Sequence, residues 1–398
     1  MNPRNFAPTL FGKPAREPGN KWSFWYFEPA PIPRELGLNS VTVAALSKAD
    51  AALGQLQGMG RLITEPRLMI VPWLTREAVA SSRIEGTQTS LEEVLEAGIS
   101  EDRSANLNSD IAEVRAYVEA TERGLELIKT LPITQRLILE IHQILLDGVR
   151  GSEKLPGELR RSPVWVGSPT DSPDTAEFVP PLPQSLGELL SDWEKFVNED
   201  SPLPSLIKCA LMHYQFETIH PFLDGNGRIG RVLIGLMLQK ENRLTTPLLY
   251  LSGYLEDHRK EYYERLQAVR EEGAIQEWLQ FFLTAISKQA EDAVNRTGAL
   301  IALREKYIND SLKLRSRSGE IVNLLFENPF ISVKRVETKL GVSQPGARNI
   351  VLKAEAMGWI KLVTKPGSGR RHLWVAPDIH EIIVQKPAFE SGGATSST

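Results

Sequence analysis

The sequence has a single cysteine, Cys209, in 398 residues. An internal disulfide is therefore excluded, and because Cys209 lies in the apolar pattern SLIKCALM, we expect it to pack in the core. The sequence also lacks an apolar run long enough for a membrane-spanning helix, and its N-terminal stretch lacks the apolar region of a signal peptide. We therefore expect a cytoplasmic protein with no membrane partner.

Neither sign of charge is in large excess over the whole chain, which has a net charge of −4. This balance conceals one basic segment, because residues 311–377 hold 12 lysines and arginines against 4 acidic residues. The hydrophobic content of 41% and charged content of 24% are ordinary for a globular protein. The length leaves room for two or three domains, one of them basic on an otherwise acidic protein.

The stretch HPFLDGNGRIGR at residues 220–231 carries the clearest chemical signal. Apolar segments with helical spacing flank it, so the pattern predicts a polar turn between two buried helices. Gly225 and Gly227 permit unusual backbone angles, which would let amide groups at the start of the second helix bind an anion. Arg228 and Arg231 lie three residues apart on that helix, close enough to reach one polyphosphate.

Two more side chains of this turn have chemical potential. Asp224 supplies a hard oxygen ligand where a magnesium ion could bridge phosphate oxygens. His220 is the group in the turn that could accept a proton near neutral pH. The turn therefore combines a base, a metal ligand and a site for an anion.

These residues resemble the core motif of Fic proteins, HxFx(D/E)GNGRxxR, at every fixed position: His220, Phe222, Asp224, Gly225, Asn226, Gly227, Arg228 and Arg231. The resemblance implies a protein adenylyltransferase that moves AMP from ATP to a Ser, Thr or Tyr hydroxyl of a target protein. It implies that His220 deprotonates the hydroxyl and that Asp224 holds Mg²⁺ against the phosphates. The nucleotide-binding residues that it implies in this turn are Gly225, Asn226, Gly227, Arg228, Ile229, Gly230 and Arg231.

The resemblance also implies a mainly α fold, with a Fic helical bundle and a β-hairpin flap. We divide the chain into an N-terminal arm and helical region (1–108), a catalytic domain (109–300), a winged helix-turn-helix (316–378) and a disordered tail (386–398). A charged linker over residues 304–317 is expected to join the catalytic domain to the winged helix-turn-helix. The flap, at residues 166–179, would hold the target segment by strand addition.

Residues 81–86, SSRIEG, match the inhibitory motif (S/T)xxxE(G/N) that one class of the family carries before the core. Taken alone, the same residues form an ordinary helix end, with Gly86 as the cap and Ser90 opening a capping box for the next helix. In the family interpretation, Glu85 would pair with Arg231 and misalign ATP. The same carboxylate could instead help to remove AMP, and the sequence does not separate the two roles.

Two tyrosines outside the motif are candidates for the site, and two histidines are not. By resemblance, Tyr262 or Tyr263 lines the adenine pocket, although ordinary packing explains these tyrosines equally well. We interpret His142 and His213 as structural, because both lie in apolar helical patterns.

The basic segment predicts helices at 320–327, 333–340 and 343–357, followed by strands at 360–363 and 372–375. This order resembles a winged helix-turn-helix. Ser343, Gln344, Arg348 and Asn349 would then enter a DNA groove, and Arg370 and Arg371 at the hairpin tip would reach the DNA backbone or minor groove. Many winged helices bind proteins or dimerise, so DNA, a protein partner and a homodimer all stay open.

Two other functions compete with adenylyl transfer. A Doc-like kinase would replace the first glycine of GNGR, and Gly225 counts against it. The alternative from a different class is a DNA-binding transcription regulator whose Fic domain senses nucleotide.

Overall fold

The computed structural model describes residues 1–16, 23–63, 66–99, 108–168, 170–312, 317–363 and 372–385. Helices dominate these residues and strands are short, which confirms the mainly α class. Within these ranges no helix combines the length and apolar character that crossing a membrane requires. The predicted hairpin tip with Arg370 and Arg371, and the predicted disordered tail at 386–398, lie outside the described residues.

The N-terminal arm is an antiparallel hairpin of β1 (Gly12–Arg16) and β2 (Trp25–Pro29). Its aromatic residues are turned inward, and Phe27 is completely buried in a small apolar cluster with Phe178 and Val179. The backbone N–H of Phe27 also donates to the carbonyl of Val179 at 2.9 Å. The arm therefore packs on the segment that the sequence predicts to be the flap.

The central body is a bundle of helices that share one hydrophobic core. In chain order they are α1 (Ser40–Leu62), α2 (Pro66–Ile84), α3 (Leu91–Ala97), α4 (Ser109–Leu127), α5 (Gln135–Leu146), α6 (Leu186–Asn198), α7 (Ser205–Ile219), α8 (Asn226–Lys240), α9 (Ser252–Asp257), α10 (Arg259–Glu272) and α11 (Ile275–Leu312).

The helices α7 and α8 lie at the centre of this body. Every residue of α7 from Leu206 to Ile219 is buried, and α8 is buried over most of its length. A helix that is enclosed on all sides can only be the middle of a bundle. The predicted polar turn between two buried helices is confirmed, and the packing of α7 and α8 fixes both ends of that turn.

The end of α2 and the start of α3 follow the sequence prediction. Gly86 has a φ of 100°, which a residue with a side chain rarely adopts. Ser90 accepts a hydrogen bond from the N–H of Glu93, whose side chain accepts from the N–H of Ser90. The predicted capping box is thus confirmed, and it fixes the turn that follows Glu85.

The prediction of a linker over 304–317 is wrong for most of that range. The helix α11 continues to Leu312, and Tyr307 is buried, with its ring stacked on Trp359 at 5.2 Å. A charged sequence does not stop a helix when its residues have good helix propensity and one face can pack. Residues 313–316 lie outside the described ranges.

The C-terminal part follows with α12 (Glu320–Glu327), β3 (Phe330–Ile331), α13 (Val333–Leu340), α14 (Gln344–Ala356), β4 (Lys361–Val363), β5 (Leu373–Val375) and α15 (Pro377–Val384). The strands form an antiparallel sheet in the order β3-β5-β4. The predicted helices and the two longer strands are present, whereas β3 and α15 were not predicted. This part packs on the central body, and the side-chain amide of Asn328 donates to the carbonyl of Leu95 in α3 at 2.8 Å.

Candidate active site

His220 ends α7 and has a left-handed backbone, with φ 49° and ψ 62°. Its Nδ1 lies 3.3 Å from the carbonyl oxygen of Glu217. Because a carbonyl only accepts, Nδ1 carries the proton and Nε2 keeps its lone pair. Burial lowers the pKa of His220 to about 4, so the imidazole is neutral at physiological pH. The ring is partly exposed and can act as a base.

The turn after His220 is closed by the side chain of Asn226. Its Oδ1 accepts from the N–H of Phe222 at 2.9 Å, and its Nδ2 donates to the carbonyl of Phe222 at 3.0 Å. The amide side chain is buried, so Asn226 shapes the turn in this conformation and does not face the solvent. Gly225 has a φ of 81° where α8 begins, as expected from its lack of a side chain.

His142 supports the same turn from α5, which agrees with its interpretation as structural. Its Nδ1 accepts from the N–H of Gly157 at 2.9 Å, and its Nε2 donates to the carbonyl of Asp224 at 3.0 Å. Its ring stacks on Phe222 with centroids 3.7 Å apart. This stack could not be predicted from the sequence, because residues 142 and 222 are far apart in the chain.

Arg228 is almost completely buried at the start of α8. One of its nitrogens lies 3.3 Å from Asp224 and another 3.7 Å from Glu113 of α4, a counter-ion that the sequence did not reveal. Within the described residues, its Nε and Nη1 have no hydrogen-bond partner. The first N–H groups of any helix also lack intrahelical partners. Buried, unsatisfied donors at a helix N-terminus are groups that could bind an anion.

Arg231 is held by α2. Its Nη2 donates to Oε1 of Glu85 at 2.7 Å and to the carbonyl of Ser81 at 3.0 Å, and its Nε donates to Oγ of Ser81 at 2.8 Å. The predicted pairing of Glu85 with Arg231 is therefore present. Burial raises the pKa of Glu85, but Arg231, Arg228 and His220 together lower it more, so the pKa of this carboxyl lies below its usual range.

The Glu85 carboxylate lies directly against the first turn of α8. A Cβ placed on Gly227 would be 2.4 Å from Oε1 of Glu85 and 2.9 Å from Nη1 of Arg231. A negative group of the protein therefore occupies space beside the helix N-terminus and its arginines. Only a glycine at position 227 leaves room for it.

Asp224 is the one carboxylate among the motif residues at 220–231. Its Oδ1 accepts from the N–H of Gly225 at 2.6 Å, and its side chain is 38% exposed. Among the described residues there is no group of three or more acidic, histidine or cysteine side chains that could hold a metal alone. A single carboxylate suits magnesium, which protein sites bind together with substrate phosphates and water.

The two candidate tyrosines differ in exposure. Tyr262 is 1% exposed and donates its hydroxyl to Nε2 of His213 at 2.8 Å, while Nδ1 of His213 donates to the carbonyl of Gly230 at 3.1 Å. Tyr262 is therefore part of the core behind α8. Tyr263 is 39% exposed, which leaves it as the candidate for contact with a base.

Ile229 and Gly230 lie on the buried face of α8. Ile229 is completely buried, and a Cβ on Gly230 would be 2.4 Å from Oε1 of Glu217 and 3.2 Å from the His213 ring. Their side-chain positions therefore face the core and not the solvent, because one face of α8 has to pack on α7.

We expect Gly230→Ala to lower the free energy of unfolding by about 1–3 kcal/mol, because the added methyl group overlaps two buried side chains. Gly235→Ala in the same helix is the matched control, because its Cβ would meet nothing within 4 Å. That variant should be unchanged or more stable by about 0.5–1 kcal/mol. Urea unfolding measures both, and equal effects would contradict the packing described for Gly230.

Comparison with known proteins identifies the family. The Fic/DOC family N-terminal model matches residues 43–126, and the Fic/DOC family model matches residues 132–238, which include the whole HPFLDGNGRIGR turn. The chain belongs to the Fic/DOC family. The expectation drawn from the motif at 220–231 is thereby confirmed.

Curated relatives share part of this region. The protein adenylyltransferase Fic of Aedes aegypti is 38% identical over 151 residues, which cover 37% of this chain and 27% of that protein. The one from Drosophila grimshawi is 33% identical over 164 residues, or 41% of this chain and 30% of that protein. The chain thus spans less than a third of these relatives' length, and their activity is carried to it only as a proposal.

A solved structure supports the fold. The crystal structure of a Fic family protein from Desulfovibrio desulfuricans G20 matches with a TM-score of 0.56 at 21% identity. The match covers 87% of this chain and 98% of that one. At this identity the likeness concerns the Fic fold alone.

Proposed function

We propose that this Fic protein is a protein adenylyltransferase that moves AMP from ATP to a Ser, Thr or Tyr hydroxyl of a target protein. One observation carries the proposal: a neutral imidazole, His220, stands at the turn that leads into the anion site of α8. The relatives named protein adenylyltransferase Fic share the matched region and add support.

The residues at the site fit the substrate Mg-ATP. The buried donors of Arg228 and the free amides of the first turn of α8 would hold phosphate oxygens. Asp224 would hold Mg²⁺, which would neutralise charge on the phosphates when bound. Tyr263, the exposed member of the tyrosine pair, would contact the base.

The reaction requires one proton acceptor from the protein. The oxygen of the target hydroxyl forms a bond to the α-phosphorus of ATP, while the bond from that phosphorus to the bridging oxygen breaks and pyrophosphate leaves. The hydroxyl proton passes to Nε2 of His220, which has its lone pair available. The products are the adenylylated target and pyrophosphate.

We propose that residues 166–179 form the flap that orients the target. Val166 and Phe178 make an antiparallel bridge, with N–H to carbonyl distances of 2.8 and 3.3 Å. Phe178 is buried under the guanidinium of Arg270, whereas Trp165 beside the bridge is 43% exposed. The Phe178 side of the bridge is therefore anchored while the Trp165 side is exposed, as strand addition needs.

We propose further that Glu85 inhibits the transfer by occupying Arg231 and the space beside Gly227. The γ-phosphate of ATP would need the same guanidinium, so the carboxylate would force a pose in which the α-phosphate is misaligned. A role of Glu85 in removing AMP from a modified target stays open beside this one. A cytoplasmic location stays a prediction from the sequence.

The test of adenylyl transfer compares two labelled forms of ATP. The purified chain carrying Glu85→Gly, which lacks the inhibiting carboxylate, is incubated with Mg²⁺, a cell lysate and either α-labelled or γ-labelled ATP. Adenylyl transfer labels a protein band from the α position alone. Label from the γ position alone would identify a kinase and contradict the proposal, as would an absence of transfer from either position.

We propose duplex DNA as a second partner, bound by the C-terminal part. Gln344, Arg348, Asn349 and Leu352 are exposed along one face of α14, and the order of helices and strands around it is that expected for a winged helix. We expect binding to duplex DNA that weakens as salt rises, and Arg348→Ala should reduce it, in a gel-shift assay at two salt concentrations. Equal binding by both proteins would leave α14 without a role in DNA contact.

A further inference from the structure

Arg160 is a buried cation that has no carboxylate partner among the described residues. It is 2% exposed, and burial lowers its pKa to about 10, so it remains charged at neutral pH. A charge in such a place is costly unless its donors are satisfied. The groups that satisfy it show what Arg160 does.

The three consecutive carbonyls around His220 all accept hydrogen bonds from Arg160. Its Nε donates to the carbonyl of His220 at 2.8 Å, its Nη2 to that of Ile219 at 3.3 Å, and its own backbone N–H to that of Pro221 at 3.0 Å. These carbonyls stand at the C-terminal end of α7, where a positive charge is favourable. Together the three bonds hold the backbone on both sides of the imidazole.

Holding this backbone matters because its conformation is strained. A residue other than glycine with φ 49° costs energy and persists only where its surroundings impose it. If the turn relaxed, the Cα–Cβ bond of His220 would change direction and the imidazole would move with it. The bonds from Arg160 therefore act on the direction of the proposed base.

The same guanidinium reaches both ends of the flap. Its Nη2 donates to the carbonyl of Pro181 at 2.6 Å, after the flap, and its Nη1 lies 3.4 Å from the carbonyl of Ser162, before the flap. One rigid, planar group thus connects the turn that carries His220 with the two ends of the hairpin that would hold the target. A lysine has no such fork of donors.

We propose that Arg160 is a positioning residue that sets the distance and direction between His220 and a target hydroxyl held by the flap. This inference rests on the proposed adenylyl transfer. The side-chain hydrogen bonds of Arg160 go to backbone carbonyls, so its loss should act on the transfer step and spare the binding of nucleotide. The effect follows from geometry, since a misplacement of about 1 Å in an active site costs about 100-fold in rate.

The next residue offers a matched control. Arg161 is an arginine too, but its side chain is 82% exposed and pairs with Glu158 at 2.8 Å. A change of Arg161 alters the same residue type at an adjacent position without touching the turn. Lysine at position 160 keeps the charge and loses the fork, whereas methionine loses both.

The experiment uses the full chain in a Glu85→Gly background, with label from α-labelled ATP counted on lysate proteins. Arg160→Lys should lower the rate by about 10- to 100-fold while the Kd for Mg-ATP stays within about twofold, and Arg161→Lys should change neither. Thermal unfolding checks that each variant is folded. A rate for Arg160→Lys within about twofold of the background overturns the proposal.

The pH profile separates positioning from a general loss of structure. Arg160 and Arg270 face His220 and disfavour its charged form, whereas Glu85, absent in this background, favours it. Arg160→Met removes one of the positive charges, so the loss of activity on acidification should begin at a higher pH than in the background. Arg160→Lys retains the charge and should keep the profile.

An NMR titration gives a result that does not depend on transfer. The His220 ring resonance, assigned with His220→Asn, should shift in Arg160→Lys and stay unchanged in Arg161→Lys. If the background transfers no label, adenylyl transfer is wrong, and the resonance still decides whether Arg160 orients the imidazole. An unchanged resonance and pH profile in Arg160→Met would overturn the role of Arg160 even in an active enzyme.

Discussion

Glu85→Gly is expected to raise the rate of AMP transfer by about 10- to 100-fold. The carboxylate accepts a 2.7 Å hydrogen bond from Arg231 and lies beside Gly227. A hydrogen bond between charged groups contributes about 1.5–3 kcal/mol, and ATP has to displace it before its phosphates can use Arg231. Removing the carboxylate removes that cost. The rate of label transfer from α-labelled ATP, with Mg²⁺ in excess, measures the change.

Glycine also loosens the backbone, so a second variant is needed. Glu85→Gln keeps the size of the side chain and removes its charge, and it should raise the rate in the same direction. Glu119→Ala serves as the control, because this glutamate is exposed on α4 and should have no effect. A folded Glu85→Gly protein whose rate is unchanged or lower would exclude autoinhibition by this contact.

The sequence predicted the parts of the site that depend on short stretches of chain. The polar turn and the capping box at Ser90 follow from residues whose type and spacing favour one arrangement, and the pairing of Glu85 with Arg231 is implied by the resemblance to the family. The inhibitory stretch and the core motif are known together in the family. The resemblance therefore also predicts a contact between these two distant parts of the chain. These are the features that the structure confirms.

Other features of the site could not be predicted, because they depend on long-range packing. Glu113, the counter-ion of Arg228, and Arg160, the partner of the His220 turn, come from segments with no distinctive local pattern. Tyr262 and Tyr263 are neighbours on α10, where a rotation of one residue about the helix axis decides which is buried. Composition alone cannot fix that rotation.

The error at 304–317 has a different origin. The charged residues there were interpreted as a linker, yet arginine, lysine and glutamate are good helix formers. What extends α11 is the burial of Tyr307 against Trp359, a contact between parts of the chain that composition treats as separate domains. The C-terminal part is consequently packed on the body, and Asn328 contacts α3 just beyond the turn that carries Glu85.

His220→Ala is expected to lower AMP transfer by about 100- to 10,000-fold, the range typical of a lost general base. The Kd for Mg-ATP should stay within about threefold, because the anion site is built by α8 and its arginines and not by the imidazole. Transfer from α-labelled ATP in the Glu85→Gly background gives the rate, and calorimetric titration with Mg-ATP gives the binding.

The left-handed backbone at this position calls for a second variant, since alanine could let the turn relax. Asparagine tolerates such a φ better than most residues and cannot act as a base near neutral pH, so His220→Asn should preserve the turn and still lose the transfer. His372→Ala, which alters an exposed histidine of the C-terminal part, should be fully active. If His220→Asn binds Mg-ATP normally and transfers AMP at the background rate, the imidazole is not the base, and the site must take the hydroxyl proton elsewhere.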